Sequence, residues 1–202
     1  PLELGADITV QSATKFLAGH ADLLAGVAAT NDPDLAVLLH RGQLVSGALL
    51  PPIDSYRLLQ DVKTLALRLE RQQQNARELI EFLSERPEVE KIFYAGSSSA
   101  EQAEVQSRQA RGVGSVFSLL LKDGGDAQAF ARALPIFVNA VSLGGIESLV
   151  SLPAHTTHGA YAQEHRDEFG VDDRLLRLAI GIEDVQDLIA ALEIGLKAAF
   201  VG

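Results

Sequence analysis

Lys15 stands in "SATKFLAGHADLLAG", residues 12–26, at the end of the apolar, β-branched stretch "ITVQSAT". A lysine at the mouth of a strand is either a snorkelling surface residue or a working amine. As an amine it would form a Schiff base. That needs the deprotonated form, whereas free lysine titrates near ~10.4, and burial in a cleft lowers that value. Ser12 and Thr14 place hydroxyls beside it that suit a phosphate. Arg177 lies in "LLRLAIG", where strand alternation puts it on one face with Leu175 and Ala179. A guanidinium drawn into such a place needs an anion. A substrate carboxylate fits its planar fork, and a structural acid such as Glu183 or Asp184 fits equally well.

Other candidates carry less chemistry. The glycine pair of "SLGG", Ser142–Gly145, is a turn signal that also brings backbone and the Ser142 hydroxyl close to a ligand. "HTTH" sets His155 and His158 three apart, which is too few ligands for a metal, so no metal site is assigned. His20 has no acid/base partner in the sequence around it. "RGVGSVF" places Gly112 and Gly114 before a strand, whereas a phosphate-binding loop opens a helix.

The elements that must position these residues follow from periodicity. "ITVQSAT" and "LLAGVAAT" read as strands on either side of the Lys15 loop, with Gly19 free to take positive φ. A helix follows from Asp32 as N-cap with Pro33 at its first position. Pro51 and Pro52 punctuate the chain, and one long helical pattern runs from Ile53 towards Pro87. Leu58, Leu65, Leu69, Ala76, Leu79 and Leu83 form its apolar side, and Gln72, Gln73 and Gln74 read as a solvated face. Beyond Pro87, strands and helices alternate. "VEKIFYAG", "GSVFSLLLKD", "VNAVSLGG", "ESLVSLPA" and "LLRLAIGIED" read as strands, and "SAEQAEVQSRQAR" and "DAQAFARALPIF" as helices. A closing amphipathic helix is capped by Asp184. The alternation means α/β or α+β layers, with a domain boundary near residues 60–65.

Composition excludes several classes. The 202 residues carry a net charge of -10 with no basic cluster, which argues against nucleic acid as a partner. With 47% hydrophobic residues there is material for a core. No apolar run approaches ~18 residues, so no membrane span is expected. The absence of cysteine removes disulfides, thiolate nucleophiles and Cys-type zinc sites, and suits a cytoplasmic location. The chain opens at Pro1, a few residues before a strand, and reads as a piece of a longer chain, cleaved or partly ordered.

Three stretches resemble one family. "LGADITVQSATKFLAGHADLLAG" resembles the lysine segment of the Cys/Met-metabolism pyridoxal-phosphate enzymes, which include cystathionine γ-synthase, cystathionine lyases, methionine γ-lyase and O-acylhomoserine sulfhydrylases. "VSLGGIESLVSLPAHTTH" resembles its substrate-carboxylate segment, and "LLRLAIGIEDVQDLIAALEIGLKAA" its closing strand and helix. The resemblance implies a fold-type I, aminotransferase-like α/β architecture. Residues 1–64 would be the end of the large cofactor domain and 65–202 a smaller α+β C-terminal domain. It implies pyridoxal phosphate as cofactor, a small amino-acid substrate and a homo-oligomer, dimer or tetramer, with any N-terminal portion a separate or disordered segment. Lys15 would bind the cofactor and later move protons, and Ser12 and Thr14 would contact its phosphate. Val141, Ser142, Thr157 and Arg177 would belong to the substrate pocket.

Two positions depart from the family pattern. Val141 stands where glutamate is common in cystathionine synthases and γ-lyases, and Gln11 where histidine is common. The first puts cystathionine in doubt as substrate. The family's ring-stacking aromatic residue, its aspartate for the ring nitrogen and its neighbour-donated phosphate ligands belong to a part of the pattern preceding this segment. The implied activity is a carbon–sulfur lyase of transsulfuration, eliminating at the β or γ carbon. The isolated segment is expected to be inactive. A synthase acting on O-acylhomoserine, or a non-catalytic fragment serving only in assembly, remains the alternative.

Overall fold

The computed structural model describes residues 1–95 and 99–201. They form two compact units, Pro1–Ala66 and Leu67–Gly202. In the first, β1 (Thr9–Ser12) pairs antiparallel with β2 (Gly26–Ala29), from Thr9 opposite Ala29 to Ser12 opposite Gly26. The first strand is shorter than its β-branched sequence predicts. It stops at Ser12 because Ala13–Leu17 closes into one wide helical turn, in which Ala18 N donates to Ala13 O at 2.9 Å. Ala13 and Ala18 are both fully buried and pin that turn.

Helix α1 (Pro33–Ser46) starts as its sequence predicts. Asp32 Oδ1 accepts from Asp34 N at 2.8 Å and Leu35 N at 3.1 Å, with Pro33 at the first position. The single helix expected from Ile53 to Pro87 is two: α2 (Pro52–Asp61), and α3 (Leu65–Ser84), which starts two residues before the boundary between the units. A tight turn, Val62–Thr64, separates them, and the Thr64 hydroxyl donates to Asp61 O at 3.1 Å. Such i−3 back-bonding, beside two β-branched residues, favours the tighter 3₁₀ winding.

The second unit continues with β3 (Val89–Phe93), α4 (Ala100–Gln109), β4 (Val116–Leu121), α5 (Ala127–Ala133) and β5 (Val138–Asn139). It ends with β6 (Leu149–Ser151), α6 (Gln163–Glu168), β7 (Leu175–Ala179) and α7 (Val185–Ala199). The sheet order is β3-β4-β7-β6-β5, antiparallel except between β5 and β6. Gly96, the end of the stretch read as β3, lies outside the described residues. The strands expected over 138–145 and 147–154 shrink to two and three residues, because 140–148 is held as a loop by the bonds given below. α6 had no clear periodic signal in its six polar residues.

Strict alternation on β4 buries Phe117, Leu119 and Leu121, and β7 buries Leu176 and Leu178. These join Ala76, Leu79 and Leu83 of α3, Phe130 of α5 and Leu188, Leu192 and Leu196 of α7 in one core. Each large side chain there contributes ~1.5–3 kcal/mol, so β7 is a rigid support. Its start is tied down by Arg174, which meets Asp123 at 2.6 Å, Asp172 at 2.8 Å and Glu90 at 3.0 Å. The Arg174 side-chain hydrogen bond holds the Asp172 carboxyl below the usual carboxylate range.

Candidate active site

In the first unit, Lys15 is half-buried at a break in the wide turn, with φ −89° and ψ −124°. Single turns of this i→i+5 kind often mark functional positions. Gly19 N donates to Lys15 O at 2.8 Å, and Gly19 takes φ +75°, as the sequence predicts. Ser12 is exposed at the end of β1. The Thr14 hydroxyl accepts from Ala25 N at 2.9 Å and donates to Ala25 O at 3.3 Å. Thr14 therefore staples the Lys15 turn to the segment leading into β2. The acid partner that the sequence did not reveal for His20 is Asp61, with Nδ1 to Oδ1 at 3.0 Å. The same Nδ1 lies 2.8 Å from Ala18 O.

In the second unit, Arg177 sits on β7 opposite Ser118 of β4 and Ser151 of β6. Its neighbours Leu176 and Leu178 point into the core. Nη2 donates to Ser142 O at 2.7 Å, while Nε is buried with no hydrogen-bond partner. Neither structural acid takes its charge. Glu183 accepts from Ser148 N at 2.5 Å and from the Ser148 hydroxyl at 2.9 Å, and Asp184 caps α7 through Gln186 N at 2.8 Å. Among the described residues, Arg177 makes no ion pair. A half-buried guanidinium with one edge held by a carbonyl and a buried, unanswered Nε–H has a donor edge to offer an anion, and a carboxylate matches such a fork.

Ser142 takes φ +113°, a region a non-glycine residue occupies at ~1–3 kcal/mol. Strain of that size persists only where the surroundings impose it, and here the Arg177 bond to its carbonyl is one such constraint. Val141, beside it, is 51% exposed. Thr157 is exposed and bonds to the ring of His158 (2.9 Å), not to Arg177. His158 packs near Tyr161 and Phe169, ring centroids 5.8 and 6.3 Å away. Among the described residues no cluster of three or more His, Asp or Glu could hold a metal. Gly112 and Gly114 pack against the Gln73 amide, a loop role.

Gln72 corrects the sequence reading most sharply. It is not on a solvated face but fully buried, while Gln73 is half-buried and Gln74 exposed. Arg68, Gln72, Asn75, Ala76, Leu79 and Leu83 form one buried stripe on α3. The legible signal was spacing: Gln72 stands four residues before Ala76 on its apolar side. The loops this stripe meets are tightly fitted. A Cβ on Gly181 would run into the Ile146 carbonyl, and Ile182 N donates to that same oxygen at 2.9 Å. Gly181→Ala is expected to cost ~1–3 kcal/mol, as overpacking against backbone does. Thermal unfolding should show a drop of several degrees, and an unchanged melting temperature would disprove the close fit.

Comparison with known proteins bears on both clusters. The family model of Cys/Met metabolism PLP-dependent enzymes matches residues 1–197. L-methionine gamma-lyase of Pseudomonas deceptionensis is 44% identical over 201 residues, 98% of this chain and 50% of that protein. Cystathionine gamma-lyase of Bacillus subtilis is 42% identical over 189 residues, 94% and 50%. The crystal structure of cystathionine gamma-lyase from Lactobacillus plantarum complexed with L-serine superposes with a TM-score of 0.93 at 37% identity, covering 98% of this chain and 52% of that one. The chain thus spans about half the length of these relatives. The likeness is not confined to the lysine segment: it takes in both units and the fold-type I architecture, and the chain belongs to the family of Cys/Met-metabolism PLP-dependent enzymes.

Proposed function

We propose that this segment belongs to a pyridoxal-phosphate-dependent carbon–sulfur lyase that eliminates at the β or γ carbon of a sulfur amino acid. The observation that carries the reading is Arg177. Its buried Nε lacks a partner, and both nearby acids are engaged elsewhere. That arrangement suits the α-carboxylate every amino-acid substrate brings. The curated relatives at 42–44% identity named lyases support the reaction type.

The residues present fit the cofactor: a half-buried amine on an anchored turn and an exposed hydroxyl at the strand end. When bound, pyridoxal phosphate supplies an electron sink for the pair left at Cα. Lys15 would hold it by the ε-amine, and Lys15 Nζ would take the α-proton of the substrate. Ser12 offers its hydroxyl to the phosphate. Thr14 has its hydroxyl on Ala25, so its part is to fix the turn, and it reaches the phosphate only by releasing that bond. Arg177 would orient the substrate by its carboxylate, with Ser142 beside it and Val141 and Thr157 as the other pocket residues.

Residues 1–64 are assigned to the end of the cofactor domain and 65–202 to the smaller C-terminal domain, a division that the compact units Pro1–Ala66 and Leu67–Gly202 support to within two residues. A homo-oligomer is supported by α1, which buries no residue and exposes Val37, Leu38, Leu44 and Val45. No described helix is long and apolar enough to cross a membrane.

The test is release of a 2-oxoacid and ammonia from methionine and from cystathionine by the full-length holoenzyme. No oxoacid from either would refute the lyase reading. Val141 refines it. An apolar side chain cannot pair with the distal ammonium of cystathionine, so the parent should prefer cystathionine less than Val141→Glu does. Because position 141 is half exposed, the gain is a surface pair of ~0.2–1 kcal/mol, at most about fivefold in relative kcat/KM. Identical substrate rankings would remove Val141 from the specificity determinants.

A further inference from the structure

We infer that Gln72 is a positioning residue for the substrate carboxylate, acting through the Ser142–Gly145 loop on Arg177; this rests on Arg177 as the carboxylate-binding group. Two hydrogen bonds tie down the ends of the loop. At one end Arg177 Nη2 donates to Ser142 O at 2.7 Å. At the other Gln72 Nε2 donates to Gly145 O at 2.6 Å. Between them lies Gly144 at φ +86°, so the loop has little stiffness of its own. Both anchors therefore act on the short loop that carries the strained φ of Ser142.

The rest of α3 fixes the other side of the same structure. Asn75 Nδ2 donates to Gly181 O at 3.1 Å and Glu183 O at 2.9 Å, and Arg71 Nη2 to Glu183 O at 3.4 Å. The Glu183 carboxylate then holds Ser148, whose hydroxyl accepts from Gly181 N at 2.9 Å. One helix face thus sets the loop that grips Arg177 and the segment just after the strand that bears it.

Stability does not account for Gln72. It is wholly buried and its Oε1 has no hydrogen-bond partner. Along the same stripe Ala76, Leu79 and Leu83 are apolar. Leucine in place of Gln72 would remove the unanswered Oε1 while stranding the Gly145 carbonyl, and these two effects oppose each other. The gain from keeping an amide is the aim of the loop, not the strength of the core.

Gln72→Leu and Gln72→Glu are compared with Arg177→Lys in the full-length holoenzyme, by steady-state kinetics and by hydrogen–deuterium exchange. In Gln72→Leu, KM for the amino acid should rise ~10-fold, the size of one lost hydrogen bond. Turnover at saturation, cofactor absorbance and melting temperature should stay close to the parent's. The segment 142–148 should exchange faster while β4 and β7 stay protected. Gln72→Glu gives a second reading: its acid form keeps a donor for Gly145 O and its ionised form does not, so KM should climb with pH. Should Gln72→Leu fail to fold, this pH profile and the exchange of 142–148 in Gln72→Glu decide. Parent-like KM and exchange in both Gln72 variants, beside a raised KM in Arg177→Lys, overturn this inference alone. Exchange that rises throughout the second unit overturns it in favour of a structural role. A parent-like KM in Arg177→Lys as well overturns the carboxylate assignment and this inference with it.

Discussion

Lys15→Ala should leave the holoenzyme folded and nearly inactive, with kcat lowered by at least ~10²–10⁴-fold, the usual worth of a positioned proton-transfer group. Folding should survive because the turn is pinned by buried Ala13 and Ala18 and by Thr14 on Ala25, none of which needs the lysine side chain. Borohydride should fix pyridoxal phosphate to the peptide carrying Lys15 in the parent and to no site in the variant. Label on Lys63 or Lys122 instead would sink the assignment. Added amines should restore part of the lost turnover if the missing group is a base at Cα. A variant with parent-like turnover would mean that Lys15 is an ordinary surface residue.

Arg177→Lys should lower kcat/KM by ~2–4 kcal/mol, the scale seen when one partner of a buried charge pair is lost. The charge stays, but the planar fork that meets a carboxylate with two donors does not. The melting temperature should move little. Glu183 is held by Ser148 and Asp184 by the start of α7, so no structural ion pair is broken. Unfolding and steady-state kinetics measured on the same preparation separate the alternatives. A clear loss of stability with unaltered kinetics in the folded fraction would return Arg177 to a structural role.

Much of this molecule is written in short-range terms. Asp32 and Asp184 cap their helices because a carboxylate can reach the amides two or three residues on, and that depends on nothing distant. Alternation on β4 and β7 settles which side chains face the core, since successive Cβ atoms point to opposite faces. Arg177 could therefore be set on the face away from Leu176 and Leu178 before any fold was known. The same holds for Gly19, the one residue in the Lys15 loop that takes positive φ without a Cβ clash.

Other features needed the chain to be folded. Whether Arg177 meets an acid or an empty donor edge was undecided until Glu183 turned to Ser148, a partner 35 residues away. His20 looked alone because Asp61 lies 41 positions further on. Gln72 read as solvated because three consecutive glutamines suggest a polar face, yet adjacent helix positions lie about 100° apart and only Gln72 falls on the buried stripe. Periodicity carries what a residue's own neighbours decide: caps, faces and turns. The burial of Gln72, the strain at Ser142 and the unanswered Nε of Arg177 arise where segments distant in sequence meet. A hydrogen bond across 35 or 73 residues depends on the packing of every element between its ends.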